Sequence, residues 1–168
     1  MKNILKIALV MLMLSAVSYA KDVAADQGLY VGAGLGIMAT NKNADAGLGL
    51  SLRGGFELDN VLKGLGIQVE LNKSLSDPEA SNGKDVDVMT LATYAAFDIP
   101  IPNSKVTLRP RIGVILPNLQ DDIDSRDFIL SSGFAVTYTV QNNLRLYADY
   151  TVLGEGISNY SAGVEIKF

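Results

Sequence analysis

The sequence of 168 residues contains no cysteine and no histidine. Without cysteine it has no disulfide, no thiol nucleophile and no cysteine-based metal site. Without histidine it lacks the general base of Ser-His-Asp hydrolases and the commonest protein ligand for transition metals. We therefore expect a protein that is not an enzyme and has no catalytic residues, no metal site and no cofactor.

Basic residues are also few, and they are scattered along the chain. Lys and Arg together number 14 against 18 Asp and Glu, which gives a formal net charge of −4. Binding to nucleic acid requires clustered Lys and Arg side chains that neutralise phosphates. The composition therefore predicts that nucleic acid is not a partner.

The longest uninterrupted apolar run is short. It covers residues 7–14, follows Lys2 and Lys6, and precedes the small-residue ending Ser18-Tyr19-Ala20. A transmembrane helix needs about 20 apolar residues, whereas this layout is typical of a secretory signal peptide cleaved after Ala20. Cleavage would leave 12 of the 14 basic residues against all 18 acidic ones. We predict a signal peptide over 1–20, a short N-terminal segment over 21–27 and a single domain over 28–168.

The remaining chain alternates apolar residues with small or polar ones at a period of two, which is typical of β-strands with two unlike faces. Eight such stretches of about ten residues suit a β-barrel that spans a membrane. They cover 29–37, 48–58, 65–72, 87–99, 106–116, 128–140, 144–152 and 160–168. Pro110 cannot donate a hydrogen bond within a sheet, so we expect a bulge or a local irregularity there.

The connections between these stretches form two alternating sets. Because the number of strands is even, both chain ends lie on the same side of the membrane, which after export is the periplasm. We predict periplasmic turns at 59–64, 98–104 and 141–143, and short external loops at 40–45, 73–85, 117–126 and 154–158.

Alternation alone does not tell which row of side chains faces the inside of the barrel. The polar row combines glycines with long side chains of both charges, and an Arg or Lys facing lipid at mid-depth would cost about 2–4 kcal/mol. We therefore predict a membrane barrel with its charges inside, rather than a soluble periplasmic barrel. The apolar row carries aromatic residues at two levels, as membrane interfaces favour: Phe56, Phe97, Tyr138 and Phe168 at one, and Phe128, Tyr150 and Tyr160 at the other.

Nine charged residues are then expected to line the lumen. Side chains just fill the interior of an eight-stranded barrel, so paired charges would plug it. The alternative is a gate, in which a rearrangement of the charges opens a narrow polar path. The nine residues are Arg53, Glu57, Glu70, Arg109, Arg111, Arg145, Asp149, Glu165 and Lys167.

Two other motifs have both a functional and a structural interpretation. Gly32, Gly34 and Gly36 resemble a phosphate-binding loop, but no helix start follows them and all three share one strand face, so small lumen positions are the better interpretation. The acidic stretch 121–127 lacks the ligand spacing, the central glycine and the closing glutamate of a calcium loop. We interpret it as a solvated acidic loop, together with Asp77, Glu79, Asp85 and Asp87.

The signal peptide, the eight alternating stretches and the closing stretch 160–168 together resemble the small OmpA/OmpX-type barrels of the Gram-negative outer membrane. The resemblance implies an all-β protein, an eight-stranded antiparallel up-and-down transmembrane β-barrel in the bacterial outer membrane. In that family a terminal aromatic residue with apolar residues at alternate preceding positions is the signal read by the barrel assembly machinery. We expect no peptidoglycan-binding domain of the kind found in the longer relatives. The residues that match the signal are Tyr160, Ala162, Val164, Ile166 and Phe168.

The expected function is that of a monomeric structural barrel that supports outer-membrane integrity or surface interactions, with outer-membrane lipid and lipopolysaccharide as its partners. The alternative is a narrow porin-like channel or a small-solute binding barrel gated by the lumen charges. A third hypothesis is a barrel enzyme that acts on lipids, but enzymes of this size on a similar fold use a histidine, which this chain lacks.

Overall fold

The computed structural model describes residues 28–40, 46–76, 88–116, 128–154 and 157–168. The predicted signal peptide, the segment 21–27 and the acidic stretch 121–127 lie outside the described residues, as do Asp77, Glu79, Asp85 and Asp87. Within these described ranges, no helix has the length and the apolar composition that a membrane span requires.

The described residues form nine β-strands that belong to one sheet. They are β1 (Tyr30–Thr40), β2 (Gly47–Glu57), β3 (Leu65–Ser74), β4 (Met89–Phe97), β5 (Ile99–Pro100), β6 (Val106–Leu116), β7 (Ile129–Gln141), β8 (Leu144–Gly154) and β9 (Ile157–Lys167). Both β4 and β5 pair with β6, and β9 pairs with β1, so the sheet closes on itself. Because the two-residue β5 continues β4 beyond Asp98, the wall is a closed barrel of eight antiparallel strands, as predicted.

The two rims of the barrel differ. We call the rim that carries Tyr30, Lys167 and the connections 58–64, 98–105 and 142–143 the turn end, and the opposite rim the loop end. Four strands reach two or three residues further at the loop end than the sequence pattern indicated. β1 continues to Thr40, β3 to Ser74 and β8 to Gly154, and β9 begins at Ile157, so the predicted connections at 40–45, 73–85 and 154–158 overlap with these strands.

Pro110 lies in the middle of β6. Its pairing with Phe134 on β7 is in register, without the bulge that the sequence allowed for. On the other side of β6 the register is the same for β4 and β5, but the ladder is interrupted between Ala96 and Ile99. The irregularity is therefore a local break that preserves the register, beside a residue that has no N–H to donate.

Side chains alternate between the lumen and the outer surface along each wall strand. The apolar row points outward, where Leu35 and Ile112 expose 55% and 56% of their surface. An apolar exterior of this extent is the surface that a barrel presents to lipid. The predicted aromatic residues are on this outer face, and Tyr150 and Tyr160 pack against each other with ring centroids 4.9 Å apart. Phe134 on β7 is the register partner of Tyr150 on β8, so the three aromatic residues form a row across β7, β8 and β9.

Three tyrosines on the inner face share one arrangement, in which the side chain crosses a glycine of the neighbouring strand and extends to the strand beyond. Tyr30 crosses Gly55 and donates a hydrogen bond from its hydroxyl to Gln68 Oε1 at 2.9 Å. The space exists only because glycine lacks a side chain, since a Cβ on Gly55 would lie 2.5 Å from the Tyr30 hydroxyl oxygen. The other two are Tyr94, which crosses Gly113 to reach Ser131, and Tyr147, which crosses Gly163 to reach Gly34.

Gly54 and Gly55 are adjacent on β2 and face opposite sides of the wall, which makes them a matched pair for substitution. We expect Gly55→Ala to destabilise the barrel by about 1–3 kcal/mol, because the new methyl group overlaps with Tyr30 and lies close to the Ile67 carbonyl oxygen. Gly54→Ala is expected to be neutral or stabilising by up to about 1 kcal/mol, since its Cβ meets no atom closer than 3.8 Å. Urea unfolding in phospholipid vesicles measures both changes. Equal unfolding midpoints for the two variants would contradict the role given to the tyrosine contact.

Candidate functional site in the barrel lumen

Ten charged side chains among the described residues point into the lumen, and we call them the lumen network. Nine are the residues selected from the sequence, and the tenth is Asp98, at the break between β4 and β5. Five basic groups face five acidic groups, so the formal charges balance. The members are Arg53, Glu57, Glu70, Asp98, Arg109, Arg111, Arg145, Asp149, Glu165 and Lys167.

Arg53 and Arg111 lie at the centre of the network, and both contact the carboxylates of Glu70 and Asp149. Arg111 Nη1 lies 2.6 Å from Glu70 Oε2, and its Nη2 lies 3.1 Å from Asp149 Oδ2. Arg53 Nη2 pairs with Asp149 and lies 3.6 Å from Glu70 Oε2. All four side chains are excluded from solvent. Two positive and two negative charges cancel within this cluster, which offsets the free-energy cost of removing each from water.

Arg109 joins this central cluster to the break in the wall. Its Nε and Nη2 donate to the two carboxylate oxygens of Asp98 at 2.5 and 3.0 Å, a two-point contact that is among the strongest ion-pair geometries. Its Nη1 donates to Glu165 Oε1 at 2.9 Å. The same Glu165 oxygen lies 3.6 Å from Arg53 Nη1. A single guanidinium thus links β9 on one side of the lumen to the β4–β5 junction on the other.

Glu57, Arg145 and Lys167 extend the network to the turn end. Lys167 Nζ lies 2.6 Å from Glu57 Oε2, and Arg145 Nη2 donates to Glu57 Oε1 at 3.2 Å. Arg145 Nη1 lies 3.6 Å from Asp98 Oδ2. The side chain of Lys167 is 29% exposed, whereas those at the centre are fully buried. The ion pairs therefore form a continuous path from solvent at the turn end to a dry centre.

Each of the three most buried arginines also packs over the ring of one of the crossing tyrosines. A cation above an aromatic face gains about 0.5–2 kcal/mol, and the gain is larger when both groups are desolvated. Glycine, tyrosine and arginine thus form the same stack three times on the inner wall. The distances from guanidinium carbon to ring centroid are 3.6 Å for Arg53 over Tyr147, 4.8 Å for Arg109 over Tyr30 and 4.9 Å for Arg111 over Tyr94.

Toward the loop end the charges give way to an uncharged polar layer and then to an apolar cap. In the polar layer, Asn159 Nδ2 lies within hydrogen-bond distance of Ser51 Oγ and Asn72 Oδ1, both at 3.2 Å. The sequence interpretation missed the cap, because its apolar side chains occupy positions of the polar row near strand ends. The signal available in the sequence was that these apolar residues stand at positions of the inward-facing row. The cap is formed by Met38, Val88, Ala92, Tyr94, Ile115 and Leu153, with Ile157 packed against them.

The described charges of the lumen neutralise one another. In the part of the chain that the structure describes, no group of three or more acidic side chains is placed to bind a metal ion. Each lumen carboxylate is paired with at least one cationic group. Arg53 Nε, Arg111 Nε and Glu165 Oε2 have no hydrogen-bond partner among the described groups. The chemistry of the site is therefore that of mutual neutralisation and filling of space.

Comparison with known proteins gives a consistent result for the fold. A family model described as outer membrane protein beta-barrel domain matches residues 7–168. Neisserial surface protein A is similar with a TM-score of 0.54 and 20% identity, over 84% of this chain and 97% of that one. Ail of Yersinia pestis in a phospholipid bilayer nanodisc is similar with a TM-score of 0.57 and 14% identity, over 85% of this chain and 100% of that one. The N-terminal β-barrel domain of Pseudomonas aeruginosa OprF is similar with a TM-score of 0.57 and 14% identity, over 84% of this chain and 100% of that one.

No curated protein matches the sequence. At 14–20% identity, the likeness to the solved structures concerns the fold and does not extend to what those proteins bind.

The lumen network offers two arginines whose removal should have unequal effects. We expect Arg111→Met to destabilise the barrel by about 3–5 kcal/mol, because it leaves two buried carboxylates, Glu70 and Asp149, to share the charge of Arg53 alone. Arg145→Met should cost less, about 1 kcal/mol, since its pairs at the rim are partly open to solvent and Lys167 still pairs with Glu57. Urea unfolding in vesicles measures both, and adding Glu70→Gln to Arg111→Met should recover part of the loss. A larger loss for the Arg145 variant would contradict the dry centre.

Proposed function

Because this chain belongs to the outer membrane protein beta-barrel domain family and is a bacterial outer-membrane β-barrel, we propose that it is a structural barrel whose lumen the ion pairs close. It supports outer-membrane integrity as a monomer surrounded by lipid, with lipopolysaccharide at its loop end, and it is not an enzyme. The observation that carries the proposal is the complete burial of the central cluster of Arg53, Arg111, Glu70 and Asp149.

The free energy of the central cluster favours a closed barrel over the gated channel. A conducting path would have to separate charges that each contact two opposite partners. Leaving one buried charge uncompensated costs about 3–5 kcal/mol, so an open state would be populated less than about one per cent of the time. The apolar cap at the loop end is a second barrier in series. Both features support a closed barrel over the channel alternative.

The proposed orientation places the turn end in the periplasm and the loop end outside the cell. Barrels of the outer membrane have short periplasmic turns and longer external loops. The connection at 142–143 is a two-residue turn, and the connections at 58–64 and 98–105 are compact and internally hydrogen-bonded. The solvent-exposed part of the lumen network then faces the periplasm.

Current recording in planar bilayers tests the closed lumen. We expect the refolded wild-type protein to be silent, and Arg111→Ala to show discrete openings, because the lost guanidinium leaves space and an excess of negative charge beside Glu70 and Asp149, which Arg53 alone then neutralises. Ile112→Ala is the matched control, since Ile112 is the next residue on β6 but faces lipid. It should be as silent as the wild type. Openings of the wild-type protein would favour the gated channel and contradict the closed barrel.

We also propose that the outward row of β9 is the signal read by the barrel assembly machinery. Four of its members lie on the outer face of β9 and Phe168 directly follows the strand, and Phe168 and Tyr160 expose 52% and 53% of their surface. A row of this kind is accessible to a binding partner before lipid covers it. The residues are Tyr160, Ala162, Val164, Ile166 and Phe168.

Substitution of Phe168 distinguishes a role in assembly from a role in stability. We expect Phe168→Ala to lower the amount of folded protein in the outer membrane of cells several-fold, while refolding in vesicles is unchanged. Leu146→Ala removes a similarly exposed apolar side chain from β8 and serves as the control. Heat-dependent gel mobility of outer-membrane fractions measures the folded amount. If both variants reach the wild-type level, β9 is not the signal.

A further inference from the structure

Two neighbouring connections give the turn end an exposed apolar surface on one side. We call these connections, residues 58–64 and 99–105, the turn foot. Val61 exposes 70% of its surface and Leu62 exposes 54%. Ile99 and Ile101 expose 44% and 39%. Aliphatic side chains grouped in this way on a turn facing water indicate a surface that another partner covers.

The turn foot is held together by its own backbone hydrogen bonds. The N–H of Val61 donates to the Leu58 carbonyl oxygen at 2.8 Å, and the N–H of Gly64 donates to Asp59 Oδ1 at 2.7 Å. The N–H of Asp98 donates to the Gly64 carbonyl oxygen at 2.7 Å, which joins the two connections. Because these polar groups are satisfied within the protein, contact with lipid does not leave them without partners.

The apolar surface of the turn foot continues the lipid-facing surface of the wall. Ala95 and Phe97 on β4 point outward. Ile99 and Ile101 prolong that row at the same parity, beyond the last residue of β4. Since lipid chains cover the row on the wall, its continuation lies at the depth of the lipid headgroups.

The charges of the turn foot complement an anionic lipid surface. Lys63 and Lys105 are both exposed, one on each connection. Asp59 is the one acidic residue of the turn foot, and its carboxylate accepts the hydrogen bond from Gly64. The neighbouring Asp98 pairs with Arg109 inside the lumen. This local excess of basic charge stands in a chain that is acidic as a whole, with a formal net charge of −4. The remaining connection at the turn end differs, since the exposed Gln141, Asn142 and Asn143 are polar and uncharged.

We propose that the turn foot inserts Val61, Leu62, Ile99 and Ile101 into the headgroup layer of the adjoining phospholipid monolayer. Lys63 and Lys105 bind the phosphates of anionic phospholipids there. The foot anchors one side of the barrel to the membrane surface, which sets the depth and tilt of the barrel. This anchoring does not depend on whether the lumen is closed.

Tryptophan fluorescence tests the insertion directly, because the chain contains no tryptophan and a single introduced one is the sole reporter. Leu62→Trp and the control Asn142→Trp are refolded in vesicles of phosphatidylcholine and phosphatidylglycerol. We expect Leu62→Trp to emit at shorter wavelength and to be quenched by lipids brominated near the headgroup. Asn142→Trp should emit as in water and be quenched by aqueous iodide. If heat-dependent gel mobility shows that Leu62→Trp does not fold, Val61→Trp is used in its place.

The preference for anionic lipid is tested in the Leu62→Trp background. Brominated phosphatidylglycerol should associate near the reporter more strongly than brominated phosphatidylcholine, by roughly fivefold per lysine. Lys63→Gln combined with Lys105→Gln should reduce this ratio toward one. Lys73→Gln removes a lysine at the loop end and should leave the ratio unchanged.

Two results would overturn the proposal. Water-like emission from Leu62→Trp, equal to that of Asn142→Trp, would show that the foot does not enter the membrane and would leave its apolar surface to a periplasmic protein. A blue-shifted reporter with equal quenching by the two lipids would refute the role of the lysines.

Discussion

Mutual neutralisation of charge inside the barrel is the interaction on which the rest of this structure depends. A charge removed from water is stable only where an opposite charge and hydrogen bonds meet it. The partners here come from strands far apart in the sequence: Arg53 on β2 pairs with Asp149 on β8, and Arg111 on β6 pairs with Glu70 on β3. These pairs form only when the wall is closed in the correct register. Closure and charge burial therefore stabilise each other.

Glycines on neighbouring strands provide the space for the charged side chains. Gly32 on β1 lies beside Arg53 and Glu165, where an added Cβ would meet their Cγ atoms at 3.1 and 2.9 Å. Gly133 on β7 has the same relation to Arg111, whose Nε would be 2.8 Å away. The conformational cost of glycine in a strand, about 0.5–1 kcal/mol relative to alanine, is offset by the buried ion pairs that it permits.

The apolar outer surface is formed by the same strands, from the residues that alternate with the inward-facing ones. Because successive residues of a strand point to opposite faces, each inward charge has an outward apolar neighbour, as Arg111 has Ile112. The lipid-facing surface is thus produced together with the network, without a separate set of elements. At the turn end the alternation continues past β4 as far as Ile101, so the outward apolar row extends beyond the end of that wall strand.

The alternating pattern predicted the eight strands of the wall, their faces, and nine of the ten lumen charges among the described residues, because a period of two is a local property that each stretch displays independently. It did not identify Asp98 as a member of the network. The residue stands in the polar row at the end of the predicted stretch 87–99, but it also begins the predicted turn 98–104, and its role depends on its position opposite Arg109. It also missed the apolar cap, since residues such as Ile115 and Leu153 come together only when several strands end at the same level. Which charge meets which, and how water is excluded from the centre, were decided by the tertiary structure. The reason is that these contacts depend on the stagger between strands and the closure of the sheet, which no single stretch of sequence contains.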